Sequence, residues 1–203
     1  MKRKHGLVLL LLLTAAVIAA SIGGLILATR GESVFTNVAP LRGNWNIDQA
    51  KGYNRFALYD AGDNVAGYPL TAITHDTQGG EVVTFLYGDC IPPSDGMGGY
   101  DGGCPPPVQV QVWPACKRNP ASYTQDMLSP IGDKRTVRGV PAASYEGGRR
   151  LEIQTGTSTV VIFAAAELVP QVADALESVN GKVPAHVTLP APAAGAMTGK
   201  LSC

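Results

Sequence analysis

The amino-acid sequence predicts an α+β fold: an N-terminal transmembrane helix, then one antiparallel-sheet domain with a single C-terminal amphipathic helix and long disulfide-tied loops. Three observations carry this prediction. A basic N-terminus precedes an uncharged apolar run, short β-branched and aromatic runs alternate with loops rich in Gly and Pro, and one apolar pattern near the C-terminus has helical spacing. With 24 glycines, 15 prolines and only 16% charged residues, the composition favours loop-rich β-structure over a helical bundle.

The N-terminal segment has the features of a membrane anchor. A basic cluster at residues 2–5 precedes an uncharged apolar run, and about 22 helical residues span roughly 33 Å, enough for a bilayer core. Residues 7–28 are therefore expected to cross the cell membrane once, with the N-terminus in the cytoplasm and the remainder outside. Cleavage as a signal peptide near Ala19 and Ser21 stays open and would make the protein secreted, but the apolar run continues to Leu27, which favours retention.

Four parts are expected along the chain: an anchor or uncleaved signal (1–30), a juxtamembrane segment (31–52), an extracytoplasmic α+β domain (53–183) and an extended tail (184–203). The juxtamembrane segment is predicted to be irregular, with Trp45 packing onto the domain. Formal net charge is zero and the basic stretches are short and scattered. Nucleic-acid binding needs a clustered basic surface, so this class of partner is excluded.

Within the domain, the pattern predicts eight strands and one main helix. The strands are expected at residues 55–59, 68–74, 82–88, 108–113, 136–140, 142–145, 150–154 and 159–164. The helix is expected at about 170–179, where Pro170 suits the first turn and Gly181 follows as a cap. Its apolar face consists of Val172, Ala175, Leu176 and Val179. Residues 114–133 contain three prolines and few strand formers, so loops with at most a short helix near 123–128 are expected there.

All four cysteines, Cys90, Cys104, Cys116 and Cys203, lie beyond the anchor. An even number with no CxxC spacing favours two disulfides in an oxidising compartment over a zinc or redox site. If the strands flanking the Gly/Pro-rich loop form a hairpin, Cys90 and Cys104 face each other at its base. An extended strand keeps Cys104 and Cys116 too far apart to pair. We predict Cys90–Cys104 and Cys116–Cys203, with Cys90–Cys116 and Cys104–Cys203 as the alternative.

No stretch has the specificity of a catalytic or cofactor motif, so no catalytic residue and no cofactor is assigned. GxSxG is absent, and His75 and Asp76, as strand neighbours, would point to opposite faces. An even number of cysteines argues against a cysteine nucleophile. A glycosidase needs two carboxylates facing each other across a cleft, whereas four glutamates are expected as solvated strand ends: Glu81, Glu146, Glu152 and Glu167.

Two weaker binding hypotheses come from loop composition. Oxygen-rich turns can hold a hard cation such as calcium, although their spacing matches no known calcium loop; the candidates are Asp60, Asp63, Asp95 and Asp101. Aromatic residues can line a cleft or a partner surface, and the disulfide-based loop at 91–107 is a place to present one. The recognition candidates are Tyr87, Tyr100 and Trp113, together with Trp45.

The stretches VTFLYGDC, GGCPPPVQVQVWPACKRNP and GVPAASYEGGRRLEIQTGTSTVVIFA resemble uncharacterised exported or membrane-anchored proteins of high-GC Gram-positive bacteria. The resemblance covers most of the chain beyond the anchor, and the terminal Cys203 fits its pattern. It implies the compartment and the disulfides and carries no activity. Residues 134–180 are also similar, in the lengths of their elements, to the C-terminal module of lipoprotein-carrier-like, envelope-sensing domains.

The function expected from the sequence is non-catalytic: a membrane-anchored extracytoplasmic domain that binds or senses an unknown ligand or protein at the cell envelope. One alternative is a secreted or anchored hydrolase that uses carboxylates or a metal. Another is a structural subunit of an envelope assembly, which predicts a large exposed apolar patch.

Overall fold

The computed structural model describes residues 41, 43–78, 80–89, 105–120 and 132–203. This part of the chain is mostly antiparallel sheet with few helices, as the predicted α+β class requires. None of its helices has the length and apolar character needed to cross a bilayer. The predicted membrane segment, the Cys90–Cys104 pair and the short helix near 123–128 all lie outside the described residues, so these three stay predictions.

The described residues form two short α-helices, α1 (Ile47–Gly52) and α2 (Val169–Ala175), and single 3-10 turns at Glu146–Gly148 and Ala196–Thr198. The strands are β1 (Tyr59–Asp60), β2 (Asn64–Val65), β3 (Tyr68–Asp76), β4 (Val82–Tyr87), β5 (Val108–Pro114), β6 (Asp133–Val137), β7 (Val140–Tyr145), β8 (Arg150–Thr155), β9 (Ser158–Ala164) and β10 (Glu177–Ser178). Strands β2 to β9 form one antiparallel sheet in the order β2-β3-β4-β5-β9-β8-β7-β6, and β1 pairs with β10.

The centre of the sheet follows the predicted alternation. Strands β4 and β5 form the expected antiparallel pair, with Val83 opposite Val112 and Tyr87 opposite Val108. Because side chains alternate across a strand, the three valines of β5 enter the core while Gln109 and Gln111 lie on the opposite face. The core side packs against α2, whose Val172 is fully buried. Burial of one face therefore sets the register of the whole sheet.

Two predicted strands are wrong for local reasons. Residues 55–58 are irregular, and the predicted strand begins only at Tyr59. Backbone groups of this segment form hydrogen bonds with the side-chain amide of Asn180 instead of with a neighbouring strand. This amide accepts a hydrogen bond from the Leu58 N–H at 2.8 Å and donates to the Tyr53 and Phe56 carbonyls at 2.8 and 2.9 Å. The expected strand at 136–140 is split by a turn, since Arg138 and the residue after it have φ of 47° and 84°.

The helices also differ from expectation. Helix α2 ends at Ala175 instead of 179, because the next residue turns into extended backbone and Glu177–Ser178 pairs with Tyr59–Asp60. The segment predicted to be irregular contains α1, whose N-terminus has a capping box between Asn46 and Gln49. The described residues therefore contain a short helix, α1, that was not predicted, in addition to α2.

The Cys116–Cys203 disulfide is present, with 5.4 Å between the Cα atoms and a sequence separation of 87. It confirms one predicted pair and makes the alternative pairing wrong, since that pairing requires Cys203 to bond Cys104. The C-terminal tail that it holds contains no strand and only one 3-10 turn. Upstream, the tail is fixed to the sheet by backbone hydrogen bonds from Leu189 to Arg138 (2.9 Å) and from Ala193 to Gly156 (2.7 Å).

Candidate functional site

Glu81 precedes β4 and has an unusual conformation. Its φ is +65°, in the left-handed region, and only 9% of the residue is exposed. A non-glycine residue held there costs about 1–3 kcal/mol, and such strain concentrates at ligand sites. The sequence analysis expected Glu81 to be a solvated strand end, and that expectation is wrong.

Two hydrogen-bond donors and a histidine ring surround one oxygen of this carboxylate. Glu81 Oε1 accepts hydrogen bonds from the Tyr53 hydroxyl at 2.6 Å and from Arg55 Nη1 at 2.8 Å, and His75 Nε2 lies 3.5 Å away. Burial, followed by the hydrogen bond to Glu81 and the charge of that carboxylate, raises the pKa of Tyr53 well above its usual range. The tyrosine therefore stays protonated and acts as a hydrogen-bond donor to the carboxylate.

His75 is fixed from both its backbone and its ring. The side-chain amide of Asn44 donates to the His75 carbonyl at 2.9 Å and accepts from the His75 N–H at 2.8 Å. The imidazole packs on the Trp45 indole with centroids 4.4 Å apart, and the Tyr53 ring lies 5.7 Å away. Trp45 thus packs onto the domain as expected, and His75 is half-buried beside Glu81 instead of lying free at the surface.

A cleft of about 370 Å³ opens beside this cluster. Glu81 lines it together with Arg55, Lys117 and the Cys116–Cys203 disulfide. Hydroxyl groups of Thr77, Thr157 and Ser202 complete its polar lining. We call this feature the Glu81 cleft.

The cleft carries more positive than negative side-chain charge. Arg55 donates one nitrogen to Glu81, and its side chain is 67% exposed, so its other N–H groups remain accessible from the cleft. Lys117 is exposed and makes no ion pair among the described residues. Glu81 is the only carboxylate side chain on the described lining, and Arg55 already neutralises it. The balance favours an anionic ligand group.

The predicted calcium residues are only partly described. Asp60 is 5% exposed and its Oδ1 accepts the Gly62 N–H at 3.2 Å, while Asp95 and Asp101 lie outside the described residues. Burial raises the pKa of Asp60 to about 6. In the part of the chain that is described, no three His, Cys, Asp or Glu side chains could together hold a metal ion, so Asp60 and Asp63 are not joined by a third ligand there.

The recognition candidates are also separated. Tyr87 is fully buried in the core, and its hydroxyl accepts the Ala61 N–H at 2.7 Å, so it packs the core and offers no surface. Trp113 is half-buried: its indole N–H donates to Gln111 at 3.0 Å and the Arg118 guanidinium lies over its ring at 5.3 Å. Tyr100 lies outside the described residues. Of the aromatic candidates that the structure describes, Trp45 is the one that belongs to the cluster around Glu81.

A second buried carboxylate occupies the other face of the sheet. Glu152 on β8 is 2% exposed, so the expectation of a solvated strand end is wrong here as well. Its Oε1 accepts a hydrogen bond from Arg118 Nη2 at 2.6 Å and lies 3.6 Å from Arg150 Nε. Arg150 stacks on the Tyr145 ring at 4.4 Å. This cluster, in regular strand backbone, has the features of a structural ion-pair network.

Sequence reasoning missed the Glu81 cluster because its members are dispersed. Tyr53 and Arg55 lie 28 and 26 residues before Glu81, with no motif spacing between them. One signal was available: Glu81 follows two glycines and directly precedes an apolar strand, a place where a charged side chain is easily buried at a turn.

Comparisons of the chain with protein-family models, with curated protein sequences and with solved structures gave no match. Function is therefore argued from the geometry of the site.

Proposed function

We propose that the chain is a non-catalytic, membrane-anchored extracytoplasmic domain that binds or senses a small anionic molecule in the Glu81 cleft. The observation that supports this proposal most is the cleft itself, whose lining contains a strained, buried Glu81 paired with Arg55, together with the exposed Lys117. Its volume of about 370 Å³ falls in the range of small-molecule sites, about 300–1,000 Å³.

The compartment is supported by two separate features of the chain. Residues 7–28 have the length and apolar character of a membrane span, and the basic residues before them favour a cytoplasmic N-terminus. The Cys116–Cys203 disulfide is of the kind that persists in oxidising compartments. Both features favour a domain that works outside the cytoplasm.

Anion binding follows from how the polar groups of the cleft are already used. Glu81 Oε1 already accepts hydrogen bonds from Tyr53 and Arg55, and the charge of Arg55 offsets that of the carboxylate, which leaves less attraction for a further cation. The remaining N–H groups of Arg55 and the ammonium of Lys117 are donors without a carboxylate of their own in the described cleft. A ligand with a carboxylate or phosphate group would satisfy both and accept from the neighbouring hydroxyls.

The same arrangement gives less support to the two alternatives. A carboxylate hydrolase needs a second carboxylate about 5–9.5 Å from the first, and Glu81 stands alone on the described lining. An assembly subunit would expose an apolar patch, whereas Val187, 43% exposed, is the single large hydrophobic side chain exposed on the described residues.

Titration of the full-length protein in detergent with inorganic phosphate and with succinate tests the proposal. Isothermal calorimetry should detect binding of at least one of these anions, and Lys117→Gln should weaken it about tenfold, since one charge-assisted hydrogen bond contributes roughly 1.5 kcal/mol. Lys182→Gln is the matched control, because Lys182 is exposed and lies outside the cleft lining. An equal loss of anion affinity in Lys117→Gln and Lys182→Gln would contradict the proposal, as would the absence of binding of either anion to wild type.

A further inference from the structure

The Cys116–Cys203 disulfide forms part of the wall of the Glu81 cleft. Cys203 is exposed and Cys116 is half-buried, so the sulfur atoms lie at a surface that solvent reaches. Leu201 and Ser202 line the cleft next to them. A quarter of the lining residues are therefore residues 201–203.

Those last three residues are tied to the domain through the disulfide. The last backbone hydrogen bond of the tail runs from the Lys200 N–H to the Gly195 carbonyl at 3.0 Å, inside the tail itself. Among the described residues, no hydrogen bond joins residues 201–203 to the sheet. Upstream, the tail keeps its own contacts to Arg138 and Gly156. Breaking the disulfide would consequently release residues 201–203 and leave the rest of the tail in place.

The charges of the cleft favour attack on this disulfide by an anionic thiol. Thiolates are the attacking and leaving groups of thiol–disulfide exchange, and nearby cations lower the pKa of a cysteine thiol and stabilise its thiolate. Lys117 follows Cys116 in the chain, and Arg55 lies on the same lining. Exposed disulfides in such settings are the labile ones, whereas buried structural disulfides resist reduction.

We propose that the Cys116–Cys203 disulfide is a thiol-responsive switch of the Glu81 cleft, operated by a low-molecular-weight thiol that carries a second negative charge. The thiolate attacks Cys203 Sγ, the Cys116–Cys203 bond breaks, and a mixed disulfide forms on Cys203 while Cys116 leaves as a thiolate beside Lys117. A second thiolate attacks the mixed disulfide and frees Cys203. Two thiols are thereby oxidised to one disulfide, and the protein disulfide is reduced to two thiols.

The switch would change the ligand site as well as the redox state. Release of residues 201–203 removes Ser202 and the Cys203 wall from the cleft, so an anion held there loses a hydroxyl donor and part of its shielding from water. This consequence rests on the proposed anion-binding function, whereas the exchange reaction does not. The two can be tested separately.

The first experiment measures the rate of mixed-disulfide formation on the full-length protein with 3-mercaptopropionate, which is anionic, and with 2-mercaptoethylamine, which is cationic. Peptide mapping by mass spectrometry assigns the reaction to the 116 and 203 peptides and keeps it apart from Cys90 and Cys104. The anionic thiol, compared at equal thiolate concentration, should react about tenfold faster, and Lys117→Gln should reduce that preference several-fold in low salt. Lys182→Gln should leave it unchanged.

An equal preference in wild type and Lys117→Gln would overturn the switch, as would rates for both thiols that merely follow global unfolding. The second experiment titrates phosphate into a Cys116→Ser, Cys203→Ser variant, and affinity should fall several-fold relative to wild type. Thiol selectivity without phosphate binding to wild type would remove the proposed function and leave the switch. Phosphate binding to wild type without thiol selectivity would overturn the switch and leave the proposed anion-binding function.

Discussion

Glu81 and Glu152 are both buried carboxylates beside arginines, yet they lie in opposite kinds of surroundings. Glu152 sits in the middle of β8, in regular strand backbone, and is enclosed by Arg118 and Arg150. Glu81 sits at a turn in left-handed backbone, and its arginine is two-thirds exposed in a cleft. Enclosed charges with regular backbone hold a sheet together, whereas strain and access to solvent mark a site that can bind a ligand.

The largest expected effect is on the enclosed carboxylate. Glu152→Gln keeps the shape of the side chain but removes the negative charge that lies against Arg118 and Arg150. Because Arg150 keeps its ion pair with Glu146 at 2.9 Å, the free energy of unfolding should fall by about 3 kcal/mol, the lower end of the cost of breaking a buried pair. Urea denaturation followed by circular dichroism measures this loss. Glu167→Gln, at an exposed position, should change stability by less than about 0.5 kcal/mol. If Glu152→Gln lowers the free energy of unfolding by less than about 1 kcal/mol, Glu152 does not have the structural role inferred here.

A third buried carboxylate, Asp60, differs from Glu81 and Glu152 because no arginine forms an ion pair with it among the described residues. Burial raises its pKa from the usual 3.8 to about 6, so between about pH 4 and 6 the folded protein binds more protons than the unfolded chain. The contribution of Asp60 to the free energy of unfolding should therefore fall as pH rises through that window and stay constant above it. Asp60→Asn removes the ionisation and should stabilise the protein at pH 7 by roughly 3 kcal/mol at most.

The measurement is the difference in unfolding free energy between Asp60→Asn and wild type across pH 3.5 to 7.5. That difference should be near zero at the acid end and reach its maximum above pH 6. A constant difference across the range, or a destabilised variant at pH 7, would show that Asp60 ionises freely in the folded protein.

The smallest expected effect is at Glu81. Glu81→Gln loses the ion pair with an exposed arginine, and solvent screens that interaction, so the loss of stability should be about 1 kcal/mol. The same urea measurement and the same type of substitution then compare the two carboxylates directly. Equal losses at Glu81 and Glu152 would mean that Glu81 is simply a structural residue.

The sequence pattern predicted the strands in the middle of the sheet correctly, but it predicted the strands at the edges of the sheet less well. In β5 the alternating valines and glutamines predicted the strand, its buried face and its pairing with β4. At Arg138 the pattern failed, since the residue adopts a left-handed turn and its guanidinium binds carbonyls of α2 and of the tail, Asp174 at 3.2 Å and Pro184 at 3.0 Å among them. In the sequence, Arg138 is simply a basic residue close to an apolar strand, and this pattern does not predict hydrogen bonds to distant backbone carbonyls.

Local pattern and chain geometry were enough to predict the sheet-rich class, the strands with period-two alternation and the Cys116–Cys203 pair. The tertiary structure decided where side chains replace backbone partners, as Asn180 does for residues 53–58, and which distant groups meet at Glu81. The physical reason is that these contacts join residues from 26 to 127 positions apart, and no local periodicity records them.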